Sequence, residues 1–116
     1  MKISSGQYYI YITTDYKKSV LYTGVTNNLQ QRIIEHYLSR GNPKSFTGRY
    51  HSYYLLYYEC FSDIRIAIAR EKEIKGWIRA KKEALIDTLN PERKFLNDEI
   101  FDVWPPDKMY HRGKAN

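Results

Sequence analysis

Residues 8–25, YYIYITTDYKKSVLYTGV, decide the fold. Residues 8–13 are a run of aromatic and β-branched side chains, the composition that suits a pleated strand. Residues 15–19 are polar and turn-like, and 20–25 read as a second strand. The stretch therefore predicts a hairpin, although its connection lacks an Asn-Gly or Gly-Gly pair. Next, Asn27 or Asn28 can cap a helix, since each is followed three residues later by glutamine. Gly41 and Pro43 stop that helix near Ser39. Residues 40–51, RGNPKSFTGRYH, read as a basic loop. Residues 53–60, YYLLYYEC, are apolar and aromatic enough for a central strand covered on both faces. Ser62 or Asp63 then caps a helix that Gly76 interrupts. Another helix covers about 79–89 and ends before Asn90-Pro91, and residues 92–101 add a short one. The order β-β-α-β-α-α predicts an α+β fold, a small mixed three-stranded sheet flanked by helices. Residues 1–103 form its one domain, and 104–116 form an extended or disordered tail.

The chain has 116 residues, enough for one modest core. Its mean hydropathy is −0.67, and no apolar run nears the roughly 20 residues of a membrane span. The N-terminus lacks the hydrophobic stretch of a signal peptide, so a cytoplasmic protein without membrane attachment is expected. Cys60 is the single cysteine, which excludes a disulfide framework. His36, His51 and His111 show no spacing with cysteine or acid that suits zinc. The net charge of +6 fits a polyanionic partner. Most of the twelve tyrosines, Tyr53, Tyr54, Tyr57 and Tyr58 among them, are expected in core and sheet.

Two helices aim ionisable groups inward. Ile64, Ala67, Ile68, Ile74 and Ile78 recur at helical spacing, and Glu71 points along their stripe. An ionised carboxylate facing a core costs several kcal/mol, roughly, unless a cation or hydrogen bonds meet it. In the earlier helix Arg32 and His36 share the stripe of Leu29 and Ile33. Polar groups converging from two helices suggest a site.

The ordered positions resemble the GIY-YIG nuclease superfamily. Tyr9-Ile10-Tyr11 and Tyr22-Thr23-Gly24 look like its two tripeptides, followed by Asn28-Leu29, with Arg32 ten residues and His36 fourteen after Tyr22. Ala67-Ile68-Ala69-Arg70-Glu71 resembles the family's Ala-x-x-x-Glu helix, with Ile74-Lys75 trailing. The chain is similar to the small bacterial members related to the nuclease domain of the excinuclease ABC complex. It departs from the pattern at Tyr9, in place of glycine, and at Thr23, in place of isoleucine. Val25 stands where the excinuclease branch often has lysine.

The resemblance implies hydrolysis of a phosphodiester in DNA with Mg2+ or Mn2+, in repair or recombination. Glu71 would hold the metal, Tyr11 and Tyr22 would flank the attacking water, Arg32 would face the phosphate, and His36 would take the acid–base position. Cations near a tyrosine favour its phenolate. Asn90 is the candidate for a late asparagine found in some relatives. Arg40, Lys44, Arg49 and Lys75 are candidates for contact with the nucleic-acid backbone, the other helix cations reading as a solvated face. Lys75 lies near the direction of Glu71 and is expected to pair with it when no metal is bound. The alternative is a non-catalytic nucleic-acid-binding module with the same fold, in which Glu71 merely bridges to Arg32 or Lys75. A protein partner could supply specificity, and the chain is expected as a monomer or weak homodimer.

Overall fold

A computed structural model describes residues 7–106. The hairpin forms as predicted. Strand β1 (Tyr8–Thr14) pairs antiparallel with β2 (Leu21–Thr26), setting Tyr11 opposite Gly24. In place of a glycine turn, the Asp15 carboxylate accepts from the backbone N–H of Ser19 at 2.7 Å and of Val20 at 3.1 Å. Helix α1 (Leu29–Leu38) starts at the Asn28 cap, whose side chain accepts from the Gln31 N–H at 3.0 Å.

Strand β3 (Tyr54–Phe61) was expected at the centre of the sheet, but the strand order is β2-β1-β3 and β1 is central. Both pairings are antiparallel, so the sheet contains no parallel pair. The apolar run in β3 has a different cause: its outer edge is covered by the C-terminal segment. Leu96 N–H donates to Leu55 O at 2.7 Å, and the buried Asn97 accepts from Leu55 N–H at 2.8 Å while donating to Tyr53 O at 3.0 Å. The Leu96 backbone and the Asn97 side-chain amide thus stand in for a fourth strand along the first part of β3. Asn90 works the same way, donating to Leu56 O at 3.0 Å and to Lys94 O at 2.7 Å. It is a buried structural clamp.

The sheet has a core on each face. Tyr9 and Tyr11 pack with Leu29 and Ile33 of α1, Leu55, Leu96 and Ile100. Ile10 and Ile12 pack on the other side with Leu56, Tyr57, Ile74 of α3 (Ile64–Lys75) and Ile86 of α4 (Arg79–Leu89). Helix α3 is capped by Asp63 and closed at Gly76. The predicted apolar stripe is narrower than expected: Ala67 and Ile74 are buried, but Ile64, Ile68 and Ile78 are exposed. The sheet has only three strands, and α3 packs chiefly on β1 and β2. At the sheet edge only part of a helix face finds a cover.

Three further departures concern the connections and the C-terminal end. The basic segment expected as a loop contains a short helix, α2 (Phe46–Tyr50), capped by the Ser45 hydroxyl, which accepts from Gly48 N–H at 3.0 Å. The expected short helix within residues 92–101 is confined to α5 (Asn97–Ile100). Trp104 was expected to open an extended tail. It packs instead against Phe101 at 4.9 Å and Tyr37 at 5.3 Å, as part of the core. The rest of the expected tail, residues 107–116, lies outside the described residues.

Candidate active site

Tyr11 is fully buried on the central strand, and its hydroxyl lies 2.8 Å from His36 Nε2. Helix α1 supplies the histidine, together with Arg32 one turn earlier on the same face. Gly24 is what admits the phenol. A methyl group there would sit 2.4 Å from both Tyr11 Cζ and its hydroxyl oxygen. The second tripeptide thus ends in glycine because the tyrosine opposite fills the place of its side chain. Tyr22 completes the group, its ring 6.3 Å from Tyr11 and 5.6 Å from His36. Thr23, next to it, points into the opposite core, where its hydroxyl is buried without a partner. Such an orphan costs about 1–3 kcal/mol.

Protonation follows from burial. Loss of solvent, more than the nearby Arg32 charge, holds His36 down to about 4, from an ordinary 6.5. The imidazole is therefore neutral at pH 7 and can accept a proton. Burial, and then Tyr22, raise Tyr11 well above its ordinary value, outweighing the opposing pull of Arg32. The expectation that cations favour a Tyr11 phenolate fails in the free protein: Tyr11 is a phenol.

Stability should accordingly depend on pH. Between about 4 and 6.5 the unfolded histidine takes up a proton that the folded one refuses. Stability is then full above that window and lost as pH falls through it, by about 3 kcal/mol at most. The carboxyls of Asp15 and Glu35, lowered in the fold, add a loss in the same direction at still lower pH. Urea midpoints of the wild type should fall between pH 7 and 4.5, and fall less for His36→Gln. Equal slopes for the two would mean that His36 is not the buried neutral group.

Glu71 is 13% exposed and pairs with Lys75 at 2.8 Å, the partner expected for it when no metal is bound. Arg32 pairs instead with Glu35, at 2.9 Å. The Lys75 ammonium also lies 5.7 Å from the centre of the Tyr22 ring. Ile74 packs on one face of the sheet and Tyr22 on the other. The contact with Lys75 therefore wraps round the β2 edge and brings the end of α3 to the pocket. A polar cleft of about 200 Å3 opens beside Arg32, lined by Thr26, Asn27, Asn28, Gln31 and Glu35.

All five candidate residues are thus linked: Tyr11, His36, Tyr22 and Arg32 by direct neighbourhood, and Glu71 through Lys75. Of the backbone candidates, Lys75 is in the site, whereas Arg40 lies over the Tyr37 ring at 3.9 Å and donates to Tyr37 O. Arg49 donates to Pro43 O at 2.9 Å, and Lys44 is exposed next to α2. Asn90 is remote in role, serving β3. Sequence reading missed Phe46, whose ring stacks on Tyr22 at 5.9 Å and 26°. The signal was there in Ser45 preceding aromatic residues four apart, 46 and 50, the mark of a capped turn of helix.

The donor set limits which metal fits. Among the described residues no three His, Cys, Asp or Glu side chains gather into a metal-binding group. One partly buried carboxylate suits an ion that keeps much of its water and takes further ligands from a phosphate, as magnesium does. It does not suit an ion that needs a cage of protein ligands. Manganese, which takes the same kind of oxygen donor, fits as well.

The chain is similar in sequence to known proteins. Residues 7–84 match the family model described as the GIY-YIG catalytic domain. The chain is 33% identical over 78 residues to a UPF0213 protein of Bacillus pumilus, a match covering 67% of this chain and 78% of that one. It is 36% identical over 92 residues to a UPF0213 protein of Clostridium perfringens, covering 79% and 96%. A solution NMR structure of the UPF0213 protein BH0048 from Bacillus halodurans is similar at TM-score 0.48 and 28% identity, covering 74% of this chain and 88% of that one.

Proposed function

The chain belongs to the GIY-YIG family, and from that premise we propose that it is a metal-dependent endonuclease that hydrolyses phosphodiester bonds in DNA, in repair or recombination in the cytoplasm. What carries this reading is the Tyr11–His36 hydrogen bond set among Tyr22, Arg32 and the Lys75-linked Glu71. A purely structural core has no need to bury a neutral histidine against a phenol beneath two cations.

Arg32 binds the substrate phosphate. Its planar fork matches two oxygens, and Glu35 steadies it from the solvent side. Glu71 would hold magnesium or manganese, with Lys75 moving off the carboxylate. When bound, that ion adds positive charge where the phosphate oxygens become more negative. Tyr11 orients the attacking water. As the water oxygen bonds to phosphorus, the phenol takes a proton from it and passes its own to His36 Nε2, which is neutral and ready to receive it. Meanwhile the bond from phosphorus to the leaving sugar oxygen breaks, and that oxygen keeps the electron pair until solvent protonates it. Tyr22 closes the side of the pocket between His36 and Lys75.

Among the described residues no helix is long and apolar enough to cross a membrane. A protein partner would supply target choice, the chain itself acting as a monomer or weak homodimer. The second reading, a binding module without chemistry, draws on the Glu71–Lys75 pair, which could stand as an ordinary ion bridge.

The test uses labelled single-stranded, duplex and branched DNA with Mg2+, Mn2+ or a chelator. Cutting is expected with either ion and none with the chelator. The ions should also raise the melting temperature, by an amount equivalent to about 2.7 kcal/mol at a hundredfold excess over Kd. Salt-sensitive binding with no cutting and no thermal shift would favour the binding module.

A further inference from the structure

Between Glu35 and Glu59 the chain has no acidic residue, yet it carries Arg40, Lys44 and Arg49. Within that segment α2 does something the reaction does not require. It projects Phe46 and Tyr50 into solvent, each 43% exposed. Their rings touch at 4.8 Å, and Phe46 stacks on Tyr22. A row of rings thus begins in the site, beside His36, and ends at the surface.

The rings are held there. Gly48 is wedged so tightly that an added methyl group would lie 2.6 Å from Asn42 O and 2.7 Å from Ser39 O. Gly41 N–H donates to Gly48 O at 2.8 Å, tying the short helix to the chain before it. Among the described residues no carboxylate pairs with Lys44 or Arg49. Aromatic faces flanked by unpaired cations, next to an arginine that faces phosphate, match one ligand chemistry: an unstacked nucleobase with its flanking phosphates. A base inside a duplex has both faces covered by its neighbours and shows only its edge. It could not stack here.

We propose that Phe46 and Tyr50, continuing from Tyr22, form a platform for an unpaired base next to the scissile phosphate, with Lys44 and Arg49 holding the adjoining backbone. The substrate is then single-stranded or locally unpaired. This rests on the nuclease reading and names its substrate class.

The test measures binding of a fluorescent oligo-dT and of a duplex of equal length to the Glu71→Gln chain, with and without Phe46→Ala and Tyr50→Ala together. A strand bearing 2-aminopurine reports stacking directly. The single-strand to duplex affinity ratio should fall about tenfold or more on removing both rings, and 2-aminopurine quenching should be lost. Phe46→Trp should keep both, which separates stacking from damage to α2, and melting curves check that each variant folds. An unchanged ratio, or equal losses on both substrates, overturns the platform while leaving the nuclease reading standing. Absence of binding to either substrate by the parent chain overturns both. Unaltered DNA binding together with stoichiometric capture of another protein through these rings would reassign the surface to a protein partner.

Discussion

Glu71→Gln is expected to lower DNA cleavage by about a thousandfold or more, with little change in stability. The amide keeps the shape of the carboxylate but not its charge, so it cannot hold a divalent ion against a phosphate. Loss of one such electrostatic contribution costs about 10²–10³-fold in related chemistry, and a metal adds to that. The fold should tolerate the change. Lys75 is 48% exposed and can turn to water when its partner becomes neutral, so no charge is left buried without a partner. Burying an amide at the Glu71 position, 13% exposed, is also easier than burying a carboxylate. The measurements are kcat/KM on a labelled strand and a urea melt, with the metal-induced thermal shift as third readout. All three should agree: activity gone, stability kept, shift absent. A variant that unfolds would instead make Glu71 a structural residue, and one that cuts at the wild-type rate would remove it from the mechanism.

Gly24→Ala is expected to damage both stability and activity. The new methyl group would overlap Tyr11 at its ring tip. The far end of a side chain can often swing away, but this one is fully buried and bonded to His36. Either the strands part or the phenol moves. Overpacking of this kind costs about 1–3 kcal/mol, and a displacement near 1 Å in a catalytic group can cost about a hundredfold in rate. The variant should therefore melt lower and cut at least roughly a hundred times more slowly. Full activity in Gly24→Ala would show that Tyr11 has slack and is not held for the reaction.

The consequences of these two substitutions were unevenly visible in the linear chain. The hairpin, the Asn28 and Asp63 caps and the breaks at Gly41 and Gly76 are local matters, set by strand-forming side chains and by hydrogen bonds that close within a few residues. The shared face of Arg32 and His36 was legible for the same reason, since helical spacing puts residues four apart together. Their intervals from Tyr22 were legible only through the family resemblance. The position of β3 was not. Its apolar run records only that both faces are covered. That Asn90 and Asn97 would seal its outer edge depends on residues more than thirty positions away. Ile64 and Ile68 misled in the opposite sense. Their spacing is right for burial, but a three-stranded sheet is too narrow to cover them.

Residue type and near spacing carried the α+β order and, through the resemblance, the family and the five candidate residues. How those residues are arranged and charged follows from the packing of the whole chain. It paired Arg32 with Glu35, kept Tyr11 a phenol and His36 neutral, and set Phe46 against Tyr22. Those outcomes depend on distance and on exclusion of water, and neither exists until distant segments pack together.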